Sequence, residues 1–374
     1  MGLIRVGLIG LGPVRSEGYR PGEWGIQHMD AINNSPHFEL VAVANSSVAS
    51  AQRSIDAHKL PATVKAYGSP QDIAADPNVD LISVAVNINR HYELVKPALV
   101  AKKNVIVEFP FMPTVEQTEE LIELANANDV KVFVAAQARA DPAVLKLKEI
   151  LASKVLGEIV HTQFTAQNAM GTPPMWPEST EGFFDISAGI SRVNILLGHP
   201  LDALVSVLGG FKSVQSIFKT QVRTTNLVGN AGKVTKPNYK ITAPDILTVQ
   251  GIMNSGATAA LSIRTCPLPA DGVGFRWLIT GTEGEAAFTA GPGVFQMNPT
   301  SAKITLKKGV ADSEEIEFNQ KEGNYYANMG PMGGNTMRFY EAVAKGDVGA
   351  YSTIEQTLET EKLMHELKKV AIIV

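Results

Sequence analysis

The chain of 374 residues predicts two domains in series: an α/β domain with a parallel sheet, then an α+β domain with a large open, mostly antiparallel sheet. Three observations carry that prediction. Short apolar runs alternate with helical patterns from residue 4 to residue 135. The first run closes on a glycine turn. From Gly157 onward the alternation with helices stops, and longer runs of two-residue period follow one another between turn signals.

Residues 4–9 form an apolar strand that ends at Gly10-Leu11-Gly12. Further apolar strands are expected at 38–44, 81–86, 104–107 and 131–135, with helical patterns over 25–34, 49–58, 90–101 and 115–128 between them. Alternation at these lengths builds βαβ units, and residues 1–136 read as a Rossmann domain. The first strand-to-helix turn is where a dinucleotide pyrophosphate rests on backbone N–H groups. In Gly10-Leu11-Gly12-Pro13-Val14-Arg15 the third glycine of G-x-G-x-x-G is replaced by Arg15. A polar stretch to Glu23 postpones the helix until Trp24-Gly25-Ile26-Gln27-His28. Gly25 then offers the close backbone approach that Arg15 denies, and Arg15 or Arg20 is within reach of a phosphate. The plain alternative is a tight turn.

The second strand ends at Asn45-Ser46-Ser47, with Arg53 one helical stretch further on. NAD sites usually place Asp or Glu here for the adenosine ribose. Without that carboxylate a 2′-phosphate is not repelled, so the sequence favours NADP(H), with NAD(H) as the alternative. The three residues also read as a simple helix cap. Gln137 and Arg139 stand where the chain crosses into the second domain, a usual place for ligand-facing polar groups.

The second domain, 137–332, is expected to carry strands at 159–166, 214–222, 246–252, 257–265, 276–280 and 302–307, interrupted by a helix over 183–197. Residues 323–334 form a Gly-rich loop containing Tyr325 and Tyr326, either of whose phenols can serve as an acid. The segment 333–374 reads as helices at 335–345 and 353–369, whose Leu363, Leu367 and Val370 suit packing back on the first domain.

Composition narrows the function. A net charge of −4 gives no basic footprint for nucleic acid, and no apolar run is long enough to span a membrane, so neither partner is expected. Cys266, the single cysteine, excludes an intrachain disulfide and fits a reducing, cytoplasmic setting. No His/Cys/Asp cluster has ligand spacing, and no metal is expected.

Val107-Glu108-Phe109-Pro110, together with the Gly10-x-Gly12 turn, resembles the Gfo/Idh/MocA oxidoreductases, whose tripeptide at this place is Glu-Lys-Pro. The resemblance implies that Glu108 binds the nicotinamide ribose. It also places the turn carrying Asn87 and Asn89, and His91 at the next helix start, along that ribose and ring. Phe109 replaces the lysine that lies beside nicotinamide and substrate. Family enzymes carry Asp-x-Gly-x-His-x-x-Asp on the second domain's helix. Aligned on Asp185, this chain has Ser187, Gly189 and Arg192 at the other three places, so the family's general acid/base histidine is Gly189.

The pattern is similar to the Gal80-like branch of that family. Its marks are Trp24-Gly25, the aromatic after Glu108, Gln137-x-Arg139, Asp185-Ile186-x-x-Gly189 through Gly198-His199, and Pro244-Asp245-x-Leu247-x-x-Gln250-Gly251. Two functions follow. One is an NAD(P)-dependent enzyme with a remodelled pocket: Phe109, Met170, Trp176, Phe183 and Phe184 as apolar lining, Arg139 as a substrate contact, and Asp185, Arg192 and Tyr325 as catalytic groups. That lining suits a hydrophobic secondary metabolite, reduced as an iminium or enone or converted without net redox. The other is a non-catalytic regulator that docks a partner protein. The resemblance also implies a homodimer or higher homo-oligomer through the open sheet.

Overall fold

The computed structural model describes residues 2–13, 23–168, 175–229, 232–297, 301–318, 329 and 333–374. They divide into two compact units, Met1–Ala140 with Glu322–Leu358, and Asp141–Lys321 with Glu359–Val374.

The first unit is built on a seven-stranded sheet. In spatial order its strands are Ser352–Thr353, Val132–Ala135, Asn104–Glu108, Leu81–Val84, Ile4–Ile9, Phe38–Ala44 and Lys65–Tyr67. All neighbours run parallel except the two-residue strand Ser352–Thr353. Leu8, Val43, Ile82 and Ile106 are fully buried, as strands covered on both faces require. The chain leaves Ile4–Ile9 on one side for Phe38–Ala44 and later returns on the other side as Leu81–Val84. Such a reversal opens a crevice at the carboxyl ends of the strands, where doubly wound sheets bind ligands.

Helix Val115–Asn128 has the expected bounds. Thr114 Oγ1 caps it by accepting from the Gln117 N–H, and Asp129 closes it in the left-handed region. Helix Glu23–Asn34 starts two residues before the expected 25. The strand Leu81–Val84 ends two residues early, because Asn87 caps a 3-10 turn over Ile88–Arg90. Lys65–Tyr67 and the helix Pro70–Ala75 were not expected; three and six residues are too short to show a period.

The second unit carries a nine-stranded sheet. Its order is Glu314–Ile316, Lys303–Lys308, Gly284–Ala290, Phe275–Gly281, Ile159–Asn168, Thr258–Thr265, Ile246–Met253, Phe211–Lys219 and Ala371–Ile373. Two pairings are parallel, Ile159–Asn168 with Thr258–Thr265 and Phe211–Lys219 with Ala371–Ile373; the others are antiparallel. Trp277, Phe164, Leu261 and Val249 lie in one cross-strand row on the buried face. A smaller sheet joins Val234–Lys240, Thr224–Val228 and Met175–Pro177.

Two expectations need correction here. The helix read over 183–197 is two elements: a 3-10 segment Glu178–Phe184 and a helix Arg192–Leu208. Asp185 therefore precedes the helix instead of riding on it. The helix also runs through Pro200, because Leu201, Ala203 and Leu204 beyond it are fully buried and tertiary packing outweighs the break. The chain end is divided as well. Helix Gly334–Lys345 belongs to the first unit, but Glu359–Val374 belongs to the second. There Thr360 donates to Asp202 at 3.2 Å, Ser216 donates to the Leu367 carbonyl, and Ala371–Ile373 extends the sheet. Leu367 is fully buried and belongs to that unit.

Candidate functional site

The glycine turn permits no side chains where the helix meets it. Gly10 sits at φ +103°, and a Cβ there would lie 2.5 Å from the Ala85 carbonyl oxygen. A Cβ on Gly25 would lie 2.2 Å from the Gly10 oxygen, so Gly25 supplies the close approach that the displaced third glycine would have given. Leu11 and Ile26 are buried, and Trp24 is half-buried. Arg15, Arg20, Met170, Tyr325 and Tyr326 lie outside the described residues.

The outer side of the turn is tied down from the second strand and the helix Val48–Ala57. Ser54 Oγ donates to the Leu11 carbonyl at 2.7 Å, Asn45 Nδ2 to the same oxygen at 2.9 Å, and His58 Nε2 bonds the Gly12 carbonyl at 2.7 Å. Ser47 caps that helix, accepting from the Ser50 N–H at 3.2 Å, as the cap reading expected. Ser46 is exposed.

A buried polar network lies under the end of strand Asn104–Glu108. Glu108, 7% exposed, receives His28 Nε2 at 2.5 Å, and Gln137 Nε2 at 3.2 Å from each carboxylate oxygen. His28 Nδ1 lies 2.8 Å from the Tyr340 hydroxyl and 3.2 Å from Ser83 Oγ, which are 2.9 Å apart. Burial drives the Tyr340 phenol upward, beyond the partial relief from Ser83, so it remains a donor. The sequence singled out Glu108 and Gln137 but not His28, Ser83 or Tyr340. These three come from three separate elements, and no spacing announces them. Among the described residues, the buried carboxamide oxygens Gln27 Oε1 and Gln137 Oε1 have no donor, as is also true of Gln117 Oε1 and Asn194 Oδ1 elsewhere.

Several expected contacts are packed away. Phe109 is 6% exposed and belongs to the apolar core with Val84, Val107 and Phe111; it is not a pocket wall. His91 is buried, with Nδ1 2.7 Å from the Phe111 oxygen and Nε2 2.9 Å from the Val86 oxygen. Burial holds it below the usual histidine range against those carbonyls, so it is a neutral staple between two turns instead of a cofactor contact. Arg139 is buried and bonds Gln356 at 2.5 Å. Asn87 accepts from the Asn89 N–H at 3.1 Å, and both residues are exposed.

In the second unit, Asp185 is half-buried. Its Oδ1 accepts from the Ser187 N–H at 2.9 Å, Ser187 Oγ at 2.8 Å and Thr242 Oγ1 at 3.4 Å. Those bonds, the backbone one first, hold it below the usual carboxylate range, so at neutral pH it is an anion that accepts and does not donate. Arg192 is fully buried. Its Nε lies 3.1 and 3.0 Å from the Ala243 and Pro244 oxygens, its Nη2 2.6 Å from Ala243 and 3.8 Å from Asp245. Burial pulls it down to about 10 despite Asp245, which leaves it a cation. It is a structural pillar, not a catalytic group. Phe184 is likewise core, packed with Leu227, Ile241 and the half-buried Trp176 at 5.9 Å between ring centres. Among the described residues no group of three or more His, Cys, Asp or Glu is placed to hold a metal.

The Gly10/Gly25 cradle, the switch in strand order and the donorless oxygens of Gln27 and Gln137 together fit a dinucleotide in the first unit. Comparison with known proteins agrees. Residues 4–136 match the oxidoreductase family with an NAD-binding Rossmann fold, and residues 142–290 match the Gal80p C-terminal domain. The dehydrogenase aclE of Aspergillus oryzae is 30% identical over 287 residues, 75% of either chain. The galactose/lactose metabolism regulatory protein GAL80 of Kluyveromyces lactis is 26% identical over 261 residues, 68% of this chain and 56% of that protein. Among solved structures, a super-repressor mutant of Gal80p from Saccharomyces cerevisiae superposes with a TM-score of 0.83 at 20% identity, covering 99% of this chain and 96% of that one. An NAD binding oxidoreductase from Klebsiella pneumoniae gives 0.77 at 21%, covering 99% and 97%. At these identities the structures show a shared fold alone.

Proposed function

The chain belongs to the Gfo/Idh/MocA oxidoreductase family, in its Gal80-like branch, and from that premise we propose a nicotinamide-dependent enzyme that works without a protein acid at the family's usual places. The observation that carries this is the character of the residues left there. Phe109 is core, Gly189 has no side chain, Arg192 is fastened inside its own unit, and Asp185 is held as an anion. Reduction of a carbonyl needs a donor at the forming alkoxide. Addition of hydride to an iminium carbon needs none, since it neutralises a cation, and Asp185, held as an anion, favours a cationic substrate. A bound nicotinamide supplies or removes the hydride. The chain's own residues bind it: the Gly10/Gly25 cradle takes the pyrophosphate, and Glu108, held by His28 and Gln137, takes ribose hydroxyls.

A small, hydrophobic, secondary-metabolite-type amine or its iminium is the substrate class this reading selects; a conjugated enone, whose enolate would take its proton from water, and a redox-neutral conversion are the alternatives. The similarity to the dehydrogenase aclE supports an enzyme. The test is a screen of cyclic iminium and enone compounds with either reduced dinucleotide, followed at 340 nm. Turnover of an iminium that falls at least tenfold in Asp185→Asn is the expected result. Equal turnover of that variant removes Asp185 from the mechanism.

The second reading, a regulator that docks a partner protein, is favoured by the GAL80 similarity. Dinucleotide binding with no turnover across the screen would establish it over the enzyme. Cys266 as the single thiol fits a cytoplasmic protein in either case.

A further inference from the structure

We propose that Asn45 selects NAD(H) over NADP(H) by presenting a hydrogen-bond acceptor to the adenosine 2′-hydroxyl. The inference rests on the reading of the first unit as a nicotinamide-dinucleotide site, and it reverses the preference suggested by the bare Asn45-Ser46-Ser47 sequence.

Asn45 directly follows strand Phe38–Ala44, where NAD sites carry their acidic residue. A carboxamide has a donor end and an acceptor end, and its neighbours decide which faces where. Asn45 Nδ2 lies 2.9 Å from the Leu11 oxygen, 3.3 Å from the Ser50 oxygen and 3.2 Å from Ser54 Oγ. Both carbonyls can only accept. The Ser54 hydroxyl donates to Leu11 at 2.7 Å, so its oxygen accepts as well. All three neighbours therefore want N–H, and a flipped amide would set oxygen against three oxygens. The nitrogen is fixed inward, and no described group donates to Oδ1.

The clasp also explains why Asn45 cannot swing to become a donor. Its bond to Leu11, with those of Ser54 to Leu11 and His58 to Gly12, fastens both carbonyls of the phosphate turn to the second helix. Rotating the amide would release the turn. A ribose 2′-hydroxyl donates to such an oxygen, whereas a 2′-phosphate offers only oxygens near neutral pH and meets its lone pairs. Ser47 Oγ is held in place as the helix cap, and its one O–H donor does not replace the cation that a charged 2′-phosphate calls for. Arg53, exposed on the same helix and without a described partner, is the cation that a 2′-phosphate would need.

The test titrates the full chain with NADH, NADPH and 2′-deoxy-NADH, following nicotinamide fluorescence, with thermal melting alongside. The expected result is NADH binding at least tenfold tighter than NADPH, and 2′-deoxy-NADH weaker than NADH by several fold. In Asn45→Ala both ratios should collapse toward one. NADPH binding as tightly as NADH, and losing that affinity in Arg53→Ala, would overturn the proposal while leaving the dinucleotide site intact. Full affinity for 2′-deoxy-NADH would overturn it too, and that arm needs no variant to fold. Binding of none of the three would bring down the cofactor reading itself, and this inference with it.

Discussion

At the residue scale, the substitution that first marks this chain as unusual turns out to be a packing residue. Phe109 stands at the family's lysine position, yet it is buried among Val84, Val107 and Phe111. A lysine there would leave an ammonium in an apolar core. Phe109→Lys should therefore cost at least ~3 kcal/mol in urea denaturation, whereas Phe109→Leu should cost less than about 2. A Lys variant of unchanged stability that binds ligand differently would return the residue to the pocket wall. Arg192 is argued the same way. Arg192→Ala leaves the Ala243 and Pro244 carbonyls without their buried donor and takes the cation from beside Asp245, which keeps its bonds from the Gln221 and Val222 N–H groups; the expected loss in urea denaturation is roughly 3–5 kcal/mol. A loss under about 1 kcal/mol would show that Arg192 does not hold this unit together.

At the element scale, two turns test how local structure feeds function. Gly25→Ala drives a methyl into the Gly10 carbonyl at the start of helix Glu23–Asn34, so the expected outcome is loss of dinucleotide affinity by more than tenfold, with the far-UV circular dichroism of the sheet kept. Affinity within twofold of wild type would mean the cradle is not the pyrophosphate site. Strand Lys65–Tyr67 and helix Pro70–Ala75 are joined by Asp76. Burial pushes that carboxyl up, but the Tyr67 hydroxyl at 2.7 Å, the Asn78 N–H at 2.9 Å and Lys65 at 3.1 Å outweigh it and hold it at about 2. A depressed carboxylate stabilises the fold above its unfolded value near 4, and that contribution is lost as pH falls from there through about 2. Tyr67→Phe should raise the midpoint of acid unfolding, read by fluorescence between pH 5 and 2. An unmoved midpoint would show that Asp76 contributes no acid sensitivity.

At the scale of the whole molecule, the outward face of the nine-stranded sheet bears on assembly. Leu278, Gln163, Ala260, Gln250 and Gln215 form a cross-strand row that is uncharged from end to end. Depletion of charge at the centre of a face is the compositional mark of an interface. We expect sedimentation velocity to find a homodimer and Ala260→Arg to yield monomers with an unchanged melting profile. A wild-type monomer at micromolar concentration would end the proposal.

The sequence alone determined the two-part fold class, the strands Ile4–Ile9 and Phe38–Ala44, the helix Val115–Asn128 and the role of Gly25, because each is written in local periodicity or in a conformation only glycine can hold. Family likeness pointed to Glu108 and Asp185, but not to the state each is in. The tertiary structure decided that Asp185 lies ahead of its helix and is held ionised, and that Phe109, His91, Phe184 and Arg192 face inward. It also assembled His28, Ser83, Tyr340 and Glu108 into one network. Burial and amide orientation are set by atoms tens or hundreds of residues away, as with His28 and Tyr340, 312 positions apart, and no local pattern can encode them.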